Sequence, residues 1–229
     1  MKALVTISLL TLVMVSACSK SETPVKTVVT NPQGPPPTGI NHPPVELPPD
    51  SREVKRMTIE MLRNSVDLIV GTDEQGKQIR WTHKVGNKTF DMLSDSGLAK
   101  TLGKPDYMNT TEEPAKPTAL YLKFMDDMSR DLCGKVLVAD SQKSVQATRT
   151  LIRFIGLKEY QDANAIHENL RYLKLRFHGE QVPDTDTETL APLKKVFDTV
   201  AAAEKSEPAA EAWRAVCVAL FLSPEFHLY

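Results

Sequence analysis

A cysteine thiol can accept an acyl group, hold a metal or join a second thiol, and this chain carries three, Cys18, Cys133 and Cys217. Its five histidines, His42, His83, His167, His178 and His227, fall at no metal-ligand spacing. His167 and His178 stand eleven residues apart, about three helical turns or roughly 16 Å, too far to share one ion. Asp184, Asp186 and Glu188 imitate the start of a calcium loop, but Thr189 occupies the sixth position, where glycine is needed, and Lys195 the twelfth, where a glutamate belongs. They read as a solvated loop entering a helix N-terminus. The chain has no Gly-x-Ser-x-Gly, no phosphate-cradling glycine loop and no Cys-x-x-Cys-His. No catalytic residue, metal ligand or cofactor is therefore assigned, although a site assembled in space would escape such a reading.

The clearest chemistry lies at the start. Lys2 is followed by an apolar run, Ala3 to Val15, broken only by Thr6, Ser8 and Thr11 and too short for a permanent membrane span. It ends in Val15-Ser16-Ala17-Cys18, which resembles the bacterial lipoprotein signal: an aliphatic residue, two small ones, then the cysteine that is acylated and becomes the new N-terminus. An ordinary secretory signal beside a chance cysteine is the alternative. The resemblance implies that residues 1–17 are removed and that Cys18 carries lipid. Ser19 in the next position, where an aspartate is absent, implies sorting to the outer membrane. Export into an oxidising compartment then leaves Cys133 and Cys217 to pair with one another, the alternative being two separate buried thiols.

Residues 18–50 hold nine of the sixteen prolines and no aromatic residue. Such a segment cannot bury enough apolar surface to offset its ordering entropy, so a disordered tether is expected, reaching up to about 100 Å if it adopts polyproline II. Residues 51–229 carry the globular pattern. With 28 basic against 29 acidic residues the formal net charge is -1, and no basic stripe marks a nucleic-acid partner.

Helical periodicity begins at Thr58, a capping residue ahead of Ile59, Leu62, Val66, Ile69 and Val70, with Gly71 as the stop. Thr72 to Thr89 suggests a loop or short hairpin plugged by Trp81, and Phe90 to Leu102 one short helix. A helix from Thr118 carries Tyr121, Phe124, Met125, Met128 and Leu132 and is expected to end at Gly134, with Asp126, Asp127 and Asp131 on its solvated face. Ser144 to Leu157 repeats the pattern through Val145, Leu151, Ile152 and Ile155. Asp162 caps the next helix, Leu190 to Val200 forms another with Pro192 in its first turn, and Pro208 to Leu222 closes the series with Trp213, Val216, Cys217 and Leu220 on one stripe. Six or seven helices with almost no strand pattern predict an all-α domain.

Two stretches resemble a known family. Arg56-Met57-Thr58 with Leu62, Asn64-Ser65-Val66 and Gly71 is similar to the opening motif of exported planctomycete-type proteins associated with cytochrome c modules. Trp213 to Phe226, ending in Ser223-Pro224-Glu225-Phe226, is similar to the helix and Ser-Pro-x-Phe corner that close a later module of those proteins. The Arg-Arg-Pro motif of that family is replaced around His178-Gly179-Glu180. What the resemblance implies is a helical exported protein of undefined activity, and it supplies no catalytic residue.

The expectation is thus a lipid-anchored module of the cell envelope that binds or scaffolds a protein partner without catalysis. The alternative is an accessory subunit of an exported redox or hydrolytic system, and an unrecognised enzyme stays open as a third.

Overall fold

The computed structural model describes residues 54–94, 96–109 and 111–229. The expected signal, Cys18 and the proline-rich segment lie outside them. The described residues form an all-α fold of seven α-helices, with one two-stranded hairpin beside them.

Thr58 opens α1 (Ile59–Val70): its hydroxyl accepts the N–H of Met61, and all five of the expected apolar positions are buried. At the far end Gly71 takes φ 65°, a conformation only glycine adopts cheaply. Arg176, distant in sequence, donates to the orphaned carbonyls of Ile69 and Leu68. The hairpin pairs β1 (Thr82–Val85) with β2 (Lys88–Asp91) in antiparallel register, and Trp81 is buried at its base against Phe124. The short helix expected from Phe90 to Leu102 is only α2 (Ser96–Thr101), because Phe90 and Asp91 complete β2 and the Asp91 carboxylate then turns the chain by accepting the N–H groups of Leu93 and Ser94.

Helix α3 (Ala119–Gln142) runs eight residues past Gly134, correcting the expected stop. A glycine inside a helix costs only about 1 kcal/mol relative to alanine. Burial of Leu132, Cys133, Val136 and Ala139 on the continuing stripe outweighs that. Its acids pair along the solvated face, Asp127 with Lys123, Asp126 with Arg130 and Asp131 with Lys135.

No helix forms from Ser144 to Leu157. A 3₁₀ turn at Gln146–Thr148 leads into irregular chain, yet Leu151, Ile152 and Ile155 are as buried as the periodicity required. Two side chains from neighbouring helices replace the missing ladder. The Asp140 carboxylate, itself wholly buried, accepts the N–H groups of Thr150 at 2.6 Å, Leu151 at 2.6 Å and Ile152 at 3.1 Å. Asn169 accepts those of Arg153 and Phe154 and donates to the Leu151 carbonyl.

The remaining helices are α4 (Ala163–His178), capped by Asp162, and α5 (Ala191–Ala203), α6 (Pro208–Leu222) and the one-turn α7 (Pro224–His227), each with a proline at its start. Helix α6 is the centre of the core, packed on both α3 and α5, with Trp213, Val216, Leu220 and Phe221 buried. Phe197 meets the Trp213 ring at 4.6 Å, and Phe221 stands edge-on to both Phe177 and Phe226. A disulfide between Cys133 and Cys217, with Cα atoms 5.9 Å apart, joins α3 to α6.

Candidate functional site

Two concave regions flank α3. One, about 650 Å³, lies between α3 and the Asp73–Thr82 stretch, where Arg80 bridges Asp67 and Asp91 and Lys135 bridges Asp131, the Arg80 carbonyl and Thr82. Burial pushes the Asp91 carboxyl up, but the Arg80 guanidinium and the Leu93 and Ser94 N–H groups outweigh it and hold it below the usual range. The other, about 920 Å³, opens between α3, the irregular 152–160 segment and the start of α6. Its walls include Leu137, Val138, Ile152, Leu157, Tyr160 and Ala209, while Arg214 and Glu211 face one another at 3.4 Å on its α6 side.

Gly134, Val138 and Arg214 line both grooves. A Cβ built on Gly134 would meet no atom within 4 Å, so the missing side chain is an open notch between them. The disulfide sits directly beneath, because Cys133 precedes Gly134 and Cys217 lies one turn beyond Arg214. That cross-link holds the two helices that form the notch in a fixed relation.

A second polar cluster joins the two ends of the described chain. Lys55 and Tyr229 exchange both main-chain hydrogen bonds at 2.8 Å, and Met57 N–H donates to the His227 carbonyl. The intervening Arg56 sends a buried side chain inward, where Nε donates to the Pro114 carbonyl and Nη2 to that of Leu102. Glu113 lies 3.6 Å away and the Tyr121 ring 4.8 Å below. A Cβ on Gly103 would stand 2.6 Å from Pro114 and 3.0 Å from Arg56, which excludes any other residue there. Burial raises the Tyr121 hydroxyl to about 12. Burial likewise holds His227 below the ordinary imidazole range, against a hydrogen bond to the Leu222 carbonyl. This cluster binds chain to chain, its main-chain and Arg56 hydrogen bonds joining residues 55–57 to 102, 114–115 and 227–229.

The residues singled out in the sequence scatter. Cys133 and Cys217 meet in the disulfide, and Cys18 and His42 lie outside the described residues. His83 is on β1, His167 on α4, and His178 contacts the Leu220 carbonyl and Lys174. Among the described residues no three His, Cys, Asp or Glu side chains could hold a metal. Asp186 organises its turn by accepting from the Glu188 and Thr189 N–H groups, which with the Thr189 hydroxyl hold its carboxyl below the usual range, and Asp184 pairs with Arg171. The grooves and the Arg56 cluster had no signal in the sequence beyond Arg56 itself, which stands in the opening motif. Among the described residues no helix is long and apolar enough to cross a membrane. Comparison with family models, curated proteins and solved structures returned no match to this chain.

Proposed function

We propose that this protein is a lipid-anchored bacterial lipoprotein whose helical domain binds or scaffolds a protein partner in the cell envelope, on the outer membrane, without catalysing a reaction. The observation that carries the binding half is the larger groove. Its volume and mixed apolar and polar lining suit a side-chain cluster or a short extended segment, and Arg214 and Glu211 at its edge are already paired with each other. A photo-crosslinking residue at Val138 should form a discrete adduct in intact envelopes, and the same probe at Leu68, which is 79% exposed on α1, should not. Equal labelling from both positions would remove the groove from consideration. The address rests on Val15-Ser16-Ala17-Cys18. Incorporation of a fatty-acid analogue should disappear in Cys18→Ser, and persistence of label would refute the anchor.

The second reading, an accessory subunit of an exported redox or hydrolytic system, rests on the resemblance of two stretches. The Arg56-Met57-Thr58 and Ser223-Pro224-Glu225-Phe226 stretches, far apart in sequence, come together through the paired termini. A haem absorbance band or hydrolase activity travelling with the native protein through purification would favour it over a simple scaffold.

A further inference from the structure

We propose that the paired ends of the domain form an acid-released clasp: residues 55–57 stay bound to 227–229 only while the buried His227 ring, packed on Tyr121 beside Arg56, remains uncharged. His227 is 3% exposed, its Nδ1 has no hydrogen-bond partner among the described residues, and its ring centroid lies 5.8 Å from that of Tyr121. The same Tyr121 ring already carries the Arg56 guanidinium at 4.8 Å. A proton added at Nδ1 would create a buried cation whose new N–H has nothing to donate to.

The ring's bond to the Leu222 carbonyl favours the charged form, but burial outweighs it. From residues 55–57 comes Arg56, a cation. Glu113 is committed, its two oxygens accepting the Ile59 N–H and one of them facing Arg56 at 3.6 Å. From α3 comes Tyr121, held neutral with its hydroxyl unpaired. On α4, Lys174 and His178 contact each other, and at the start of α7 the Glu225 carboxylate takes the Ser223 hydroxyl. The least costly response is movement of the last three residues. Three main-chain bonds fasten them to residues 55–57, Lys55 N–H to Tyr229, Tyr229 N–H to Lys55 and Met57 N–H to His227, and Leu228 N–H donates to the Pro224 carbonyl, while the buried Phe226 ring keeps α7 anchored behind them.

The direction follows from linkage. A histidine whose pKa is depressed in the closed state costs nothing above the ordinary imidazole value, where both states are neutral. As pH falls below that value the open state takes up the proton and the closed state does not. At pH 5.5, one unit below the ordinary value, opening should be favoured by at most about tenfold over pH 7.5.

Amide exchange of the full chain at the two pH values tests this. Protection factors at Lys55, Met57 and Tyr229 should drop by up to about tenfold at the lower pH, with Leu132 in α3 unchanged. His227→Phe should abolish the drop, and His178→Gln should retain it. Undiminished protection at pH 5.5, a parallel loss at Leu132, or a drop that persists in His227→Phe would overturn the proposal. Should His227→Phe not fold, the wild-type His227 ring signal decides: a midpoint below the ordinary imidazole value that coincides with loss of clasp protection supports the device, and titration with the clasp amides still protected refutes it.

Discussion

The α3–α6 pair and the Thr150–Ile155 stretch both bury apolar side chains in the core, yet they satisfy their backbones in opposite ways. In α3 and α6 every interior residue carries one hydrogen bond of a repeating ladder, and a single disulfide adds a cross-link between helices. Between Thr150 and Phe154 five successive N–H groups converge on two side chains, Asp140 and Asn169. Distributed bonding tolerates the loss of any one member. Concentrated bonding puts several buried donors at the mercy of one substitution.

The sharpest way to break the contrast is Asp140→Ala, which leaves three buried N–H groups without an acceptor and should cost about 3–5 kcal/mol. Chemical denaturation gives the magnitude, and exchange at Thr150 to Ile152 should accelerate well before the α3 and α6 amides do. Uniform acceleration across the molecule would mean that the segment and the helices form one cooperative unit. Replacing Cys133 and Cys217 together by alanine is next. The bond spans 84 residues of sequence, and its loss should lower stability by about 2–4 kcal/mol, chiefly through a freer unfolded chain. Both helices should persist, as far-ultraviolet circular dichroism would report. Asn169→Ala should cost about 2–3 kcal/mol because it releases two N–H donors and one carbonyl. The smallest effect has the opposite sign. Gly134→Ala should stabilise the protein by about 0.5–1 kcal/mol, since the new methyl enters open space within a regular helix. A gain in melting temperature accompanied by weaker adduct formation from Val138 would place the notch in the binding surface.

Helices with both a cap and a stripe were legible in the sequence. Thr58 and Gly71 bracket α1, Asp162 and Gly179 bracket α4, and Pro208 opens α6 at the residue its first-turn preference indicates. Spacing alone misled at Ser144 to Leu157, because Leu151, Ile152 and Ile155 must be buried whichever backbone carries them. The residues that decide against a helix, Asp140 and Asn169, lie outside the segment. As single letters they cannot be told from the solvated acids and amides elsewhere on α3 and α4. Gly134 misled for the reverse reason: a stop signal at one position is weaker than the buried stripe that continues past it. The grooves were invisible because they are spaces between elements, and the Arg56 cluster because its members, Arg56, Glu113, Tyr121 and His227, come from four separate parts of the chain.

The pairing of Lys55 with Tyr229 also settles how the domain would carry mechanical load. Tension transmitted along the chain from the N-terminal side of Val54 reaches the two Lys55–Tyr229 hydrogen bonds before it reaches α1. Behind them the buried Arg56 side chain, fastened to two carbonyls, acts as a stop that must be extracted before the helix can be peeled away. A pull from that side would meet the terminal pairing before it reached the cross-linked α3–α6 core and the groove above it.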